Sequence, residues 1–212
     1  MGGTRRMVGP DPSRRRRAAA VHRGGQGDCR MTIAATVDGV PVSVHEVDAR
    51  EAQLRSSRSA SSLPRPGTSE GRQLRRWLTQ LLVTERVVAA EVAVRGLSAD
   101  GAPREDDLLP DMTVRLELGS VAASVLSDPL VRALFEDVTE AVDVTGEAVA
   151  AYEARNPSRF GDTASVAEHL RAAAKRRAFR LWLDARCAAV VQLAPGYEHP
   201  GDPRQPDNTH RH

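Results

Sequence analysis

Apolar residues alternate with other types in IAATVDGVPVSV, residues 33–44, and Asp38-Gly39 sits at the centre of the stretch. An Asp-Gly pair between β-branched residues predicts a tight turn, so the stretch reads as a small hairpin. Ser43 followed by Glu46 then fits a capping box that opens a short helix, HEVDAREAQLRSS. Residues 57–71, with Pro64, Pro66 and Gly67, read as a loop. From about residue 69 to 95 the rhythm changes to steps of three and four. Leu74, Trp77, Leu78, Leu81, Val88 and Val92 fall on one helical face, and Gly96 is the expected stop.

Further along, TVRLELGS (113–120) alternates and fits either a short strand or the start of a helix. VAASVLSDPLVRALFEDV reads as one or two short helices broken before Pro129. Thr145 is the expected N-cap of a helix that ends at Asn156-Pro157. The last helix is predicted over about 164–188, with Val166, Leu170, Ala173, Ala174, Ala178, Leu181, Trp182 and Ala185 along its apolar side. Arg171, Arg176, Arg180 and Arg186 are expected mainly in solvent. VVQL (190–193) is a candidate strand, and the prolines after 195 predict an extended tail.

Composition changes this picture at the ends of the chain. The net charge of +2 conceals an asymmetry, because residues 1–30 hold eight arginines and only two acids. Without that segment the count is 22 basic against 26 acidic residues, a net −4. Residues 1–30 therefore read as a disordered basic tail, 31–194 as the folded domain and 195–212 as a Pro/His-rich tail. Met31, where regularity sets in, is a candidate start. The domain shows no basic face, so nucleic-acid binding is not expected. No apolar run is long enough for a membrane span or a signal peptide, which makes the cytoplasm the expected location. Cys29 and Cys187 offer neither a C-x-x-C pair nor an expected disulfide.

The order of these elements resembles a known frame. VDGVPVSVHEVD looks like the opening strand-turn-helix of the SurA/PrsA-type peptidyl-prolyl isomerase chaperones. LTQLLVTERVVAAEVAVRGLSAD resembles their next long helix, and VDVTGEAVAAYEARNPSRF resembles the helix leading into their parvulin domain. LRAAAKRRAFRLWLDARCAAVVQL resembles their closing helix and strand. The departure is as informative: Phe160 is followed only by Gly161-Asp162-Thr163 before the closing helix, where relatives carry a catalytic domain. The resemblance implies a mainly α fold, a SurA N-terminal-like helical domain whose small sheet joins strands near the two ends. It implies a parvulin-less, chaperone-like module that binds a polypeptide client. Trp77, Leu81 and Trp182 are then the expected peptide-groove residues.

Two clusters of chemistry remain. Glu85 interrupts the apolar stripe of the long helix; it stands at the edge of the stripe, binds an arginine such as Arg86, or faces a cavity, because an unpaired carboxylate in a core is costly. Glu85, Tyr152 and His169, with Trp182, are the weak catalytic candidates, since a carboxylate, a phenol and an imidazole in one cleft can move protons. The C-terminal tail gathers His199, Asp202, Asp207, His210 and His212, suitable ligands for a divalent metal, with His45 or His169 as possible completing ligands. Tyr197 is a candidate anchor of that tail. These residues define the alternative reading, a small biosynthetic enzyme of isomerase or lyase type; a structural subunit of a larger complex is a third. GLSAD (96–100) lacks the final glycine of a nucleophile elbow and follows a helix, so Ser98 is a loop serine.

Overall fold

Left-handed backbone at Asp38 (φ 52°) and Gly39 (φ 80°) turns the chain back on itself between strands β1 (Ile33–Val37) and β2 (Val40–Ser43). Two consecutive residues with positive φ match the twist of the flanking strands, which explains why Asp-Gly stands here. A third strand, β3 (Val191–Leu193), pairs antiparallel with the other side of β1, placing Ala35 opposite Leu193 and Val37 opposite Val191. The order is β2-β1-β3, so the two sequence-distant ends of the domain are joined as expected. Backbone bonds from Asp38 N to Val190 O and from Ala194 N to Ala34 O extend the pairing by one step at each end. The computed structural model describes residues 1–2, 32–58, 60–157 and 159–202. By its contacts the chain divides into Met1–Arg30 and Met31–His212, and the fold described here is that of the second unit.

Helix α1 (Val44–Arg55) starts with the predicted capping box. Glu46 N donates to Ser43 Oγ, and Ser43 N donates to Glu46 Oε2 at 2.8 Å. Helix α2 (Ser69–Arg95) is capped by Thr68 and ends at Gly96, whose φ of 63° is the left-handed stop that glycine adopts without strain. Gly71, in its first turn, is required for a different reason: a Cβ there would run into the backbone oxygen of Arg65.

The single apolar stripe expected on α2 is too narrow. Val83 and Val87 are also buried, against Ala35, Val37 and Val42 of the sheet, while Leu81, Val88 and Val92 enter the larger helical core. Helix α2 is the central element of the domain, touched by α1 and β1 and by three helices that follow in the chain, so one amphipathic face cannot describe it.

Those later helices are short. Of helices α3 (Glu105–Leu108), α4 (Met112–Leu118), α5 (Ser120–Val125) and α6 (Pro129–Thr139), α5 and α6 pack on α2, and α4 packs on α5 and α8. The ambiguous TVRLELGS stretch is helical: Asp111 Oδ1 accepts from Val114 N at 2.9 Å, and Gly119 (φ 97°) ends the turn. Its alternation meets no sheet, and only Leu118 of the three alternating apolar residues is buried. Asp128 caps α6 with Pro129 in its first turn, where the missing N–H leaves no acceptor unsatisfied.

Helix α7 (Gly146–Arg155), capped by Thr145, packs on α8 (Thr163–Val190), capped by Asp162. Only residues 156–162 connect them. Phe160 closes this corner, with its ring centroid 6.1 Å from Tyr152 and 5.1 Å from His169. Because Phe160 is only partly buried, Phe160→Ala is expected to lose about 1.5 kcal/mol in urea unfolding. Cleavage by a protease within 156–162 should rise in parallel; an unchanged cleavage rate would show that the ring does not hold the corner.

The phase predicted for α8 needs correction. Leu181 is 55% exposed, whereas Phe179 and Leu183 are buried. Trp182 is half-buried between Phe179, at 5.8 Å, and the guanidinium of Arg95. The arginines of α8 are not uniformly solvated either: Arg171 pairs with Asp143, Arg186 with Glu91, and Arg176 is half-buried. No helix among the described residues is long and apolar enough to cross a membrane.

Candidate functional site

A groove of about 450 Å³ runs between α2, α5 and α6. Val88, Ala89 and Val92 come from successive turns of α2, and Val125, Leu130 and Val131 come from the α5–α6 corner. The spacing of 88, 89 and 92 puts all three on one helical edge. The corner exists because Pro129 cannot continue α5, so the chain turns through Ser127-Asp128 and restarts. Arg132 fixes that turn, donating to Leu126 O at 2.9 Å and Ser127 O at 2.8 Å, and reaching Pro103 O at 2.7 Å.

One charged pair stands at this groove. Arg50 of α1 donates to both carboxylate oxygens of Glu85, at 3.0 and 2.6 Å. Of the alternatives open for Glu85, pairing with an arginine holds, and that arginine is Arg50 rather than Arg86. Neighbouring residues on a helix point about 100° apart, so Arg86 turns away to Pro41 O and to Glu46. The bidentate geometry fixes the Glu85 carboxylate and leaves it a poor candidate for proton transfer. Asp128 is likewise engaged, its Oδ1 accepting from Leu130 N at 2.9 Å. The groove therefore offers an apolar floor with its nearby polar groups already satisfied.

The other catalytic candidates do not join Glu85. Tyr152 and His169 meet each other, with ring centroids 5.8 Å apart, at the α7–α8 corner. Burial, followed by repulsion from Arg159 and Arg176, pushes the His169 imidazole below its ordinary value. Trp182 lies with Phe179 in the helical core. The expected peptide-groove residues are also differently placed. Leu81 is buried in that core, Trp77 donates its Nε1–H to Ser120 Oγ at 3.0 Å, and neither they nor Trp182 line the α2–α5–α6 groove.

A second cleft, of about 440 Å³, opens between α2, the α4–α5 junction and α8. Thr84, Asp184 and Cys187 line it with His199 from the segment after β3. The Cys187 thiol is 4.0 Å from Thr84 Oγ1, and burial pushes it up, away from the reactive thiolate. His199 is exposed, and its Nδ1 accepts from Gly201 N at 3.0 Å. No group of three or more metal-ligating side chains forms among the described residues; Asp207, His210 and His212, like Cys29, lie outside them. Tyr197 is the anchor it was expected to be, packed on the cluster of Ala34, Val47 and Leu78.

A buried carboxylate that the sequence reading overlooked is Glu91. It takes Arg186 of α8 at 2.5 Å and Arg95 at 3.3 Å, and Arg95 continues to Asp137 of α6 at 2.5 Å. This network ties α2, α6 and α8 together and reads as structural. The sign available in the sequence was a glutamate at i−4 from an arginine on a face otherwise apolar.

The chain is thus a mainly α domain closed by a three-stranded sheet from its two ends, with an apolar groove along its central helix. A family model described as a family of unknown function (DUF7158) matches residues 33–70, which cover the hairpin, α1 and the loop into α2. No curated protein and no solved structure matches the chain.

Proposed function

We propose that the protein is a chaperone-like polypeptide-binding module without prolyl isomerase activity, built on a frame like that of the SurA/PrsA-type chaperones but without their parvulin insert. The observation that carries this reading is the α2–α5–α6 groove, apolar on its floor and lined by a Glu85 carboxylate already held by Arg50. Such a surface suits apolar side chains of an extended polypeptide, and the two carboxylates beside it, Glu85 and Asp128, already accept hydrogen bonds from the domain itself. The direct run from α7 to α8 through residues 156–162 supports the second half of the proposal, since so short a connection cannot hold a catalytic domain.

The test is fluorescence anisotropy with a labelled, extended peptide rich in leucine and valine. Ala89 is exposed at the groove, so Ala89→Arg places a long cation there without displacing a buried side chain. Binding should weaken about tenfold, roughly 1.4 kcal/mol, with the unfolding midpoint unchanged. Equal binding by the variant would remove the groove from the function. Acceleration of prolyl isomerisation in a proline-containing peptide would contradict the other half.

A further inference from the structure

Arginine is almost the only cation of this chain, and most of its half-exposed guanidinium groups are neutralised. Arg50, Arg75, Arg86, Arg95, Arg115, Arg171 and Arg186 each face a carboxylate within salt-bridge distance. Arg176 and Arg177 on α8 are different. Among the described residues neither has a carboxylate or other acceptor within bonding distance. Both line a pocket of about 330 Å³ between α4 and α8, together with Glu117, Leu118, Arg180 and Leu181.

Two further features define what the pocket suits. Burial pushes the Arg176 guanidinium down, and the opposing attractions of Glu117 and Asp111 do not cancel that effect, so this cation sits where an added anion is most strongly felt. It remains charged at any ordinary pH. Arg180 is partly used, donating to Glu117 O at 3.2 Å and lying 3.8 Å from Asp184. Apolar side chains share the lining with these charges: Leu118, Ala173 and Leu181, of which Leu181 is 55% exposed.

We propose that this pocket receives an acidic side chain of a bound polypeptide, its carboxylate held by Arg176 and Arg177 and an adjacent apolar residue resting on Leu181. The nature of the occupant rests on the polypeptide-binding reading, although the position and charge of the pocket do not. Glu117 lines the same pocket and repels a second negative charge. The favoured segment therefore carries a single Asp or Glu beside leucine-like residues, rather than an acidic run or a phosphodiester backbone.

Anisotropy of a fluorescein-labelled peptide of leucines with one central glutamate, against the same peptide with glutamine, provides the measurement. The glutamate peptide should bind about tenfold more tightly, and added salt should erase the difference. Arg176→Gln with Arg177→Gln should abolish the preference, whereas Arg171→Gln, on the same helix but paired with Asp143, should retain it. Should the double variant fail to fold, Arg177→Gln alone, at an exposed position, should reduce the preference. Equal binding of the two peptides, or an undiminished preference in these variants, would overturn the proposal. So would a labelled oligoribonucleotide that outcompetes the peptide and depends on the same arginines. Ala89→Arg separates the two sites: it should weaken both peptides equally and leave their ratio intact, while a ratio lost with Ala89→Arg would place the acidic contact in the groove instead.

Discussion

Phe179→Ala is expected to destabilise the domain by about 4 kcal/mol, a large share of the ~5–15 kcal/mol typical of a domain. Phe179 is fully buried, 5.2 Å from the ring of Phe135 on α6 and 5.8 Å from that of Trp182. It belongs to the same buried cluster as Leu126, Leu134 and Val88, where α8 packs on α6 and α2. Truncation removes the transfer free energy of the ring and leaves a cavity that three helices cannot close without parting from each other. The urea midpoint should fall with the m-value unchanged, and Phe179→Leu should recover most of the loss because it restores much of the volume. A loss below about 1 kcal/mol for the alanine variant would mean that α8 is anchored elsewhere. The prediction bears on function as well, because β3 is the direct continuation of α8. A loosened α8 should release β3 from β1 and undo the joining of the two ends.

Signals that act within four residues were legible. The Asp38-Gly39 turn, the Ser43/Glu46 box, the Gly96 stop and the Thr145 cap each depend on a side chain or φ preference next to its target. The phase of α8 was not legible. Its arginines and alanines pack almost as well on either side, so the buried face is chosen by Phe135, contributed from another helix, and falls on Phe179 and Leu183 rather than Leu181. The groove was hidden for a similar reason. Its two walls are 33 to 43 residues apart in the chain, and Trp77, Leu81 and Trp182 look like surface anchors only until the central position of α2 is known. Pairing with an arginine was one of the alternatives open for Glu85, but that arginine comes from α1, 35 residues away, and no local pattern names it.

The connection between α7 and α8 shows what two helices require when only a short loop joins them. Two helix ends that must meet need a cap on each and a side chain between them. Asn156 ends α7, with its N–H donated to Tyr152 O at 3.0 Å, and Asp162 opens α8 by accepting from Ser165 N at 2.8 Å. Phe160 fills the angle between Tyr152 and His169. The aromatic residues that suggested proton chemistry in the sequence pack against one another at this corner, and burial there, with Arg159 and Arg176 nearby, lowers the pKa of His169.

Glu51→Gln is expected to lower stability by about 2 kcal/mol at pH 7, and this difference should shrink in acid. The Glu51 side chain is only 10% exposed and accepts from Arg55 Nε and from Arg75 Nη1, each at 2.8 Å. Arg75 also reaches Asp48, and Arg55 reaches Pro64 O, so the one carboxylate fastens α1 to α2 and to the loop before α2. Charge-assisted bonds of this kind are worth ~1.5–3 kcal/mol each when buried, and the partly exposed arginines reduce the sum. Burial is the largest influence on Glu51 and raises its pKa, but Arg55 and Arg75 together outweigh it and hold the carboxyl below its ordinary value. A group depressed in the folded state binds its proton more readily when unfolded. Its contribution is therefore complete above the unfolded value of about 4.3 and is lost as the pH falls through the lower folded value. Urea unfolding of both proteins at pH 7, 5, 4 and 3 should show parallel behaviour down to pH 5 and convergence below pH 4. A constant difference across that range would mean that Glu51 is not the ionised clasp described. Because Arg50 precedes Glu51 on α1, release of this clasp also frees the arginine that holds Glu85, and peptide binding at the groove should change with it.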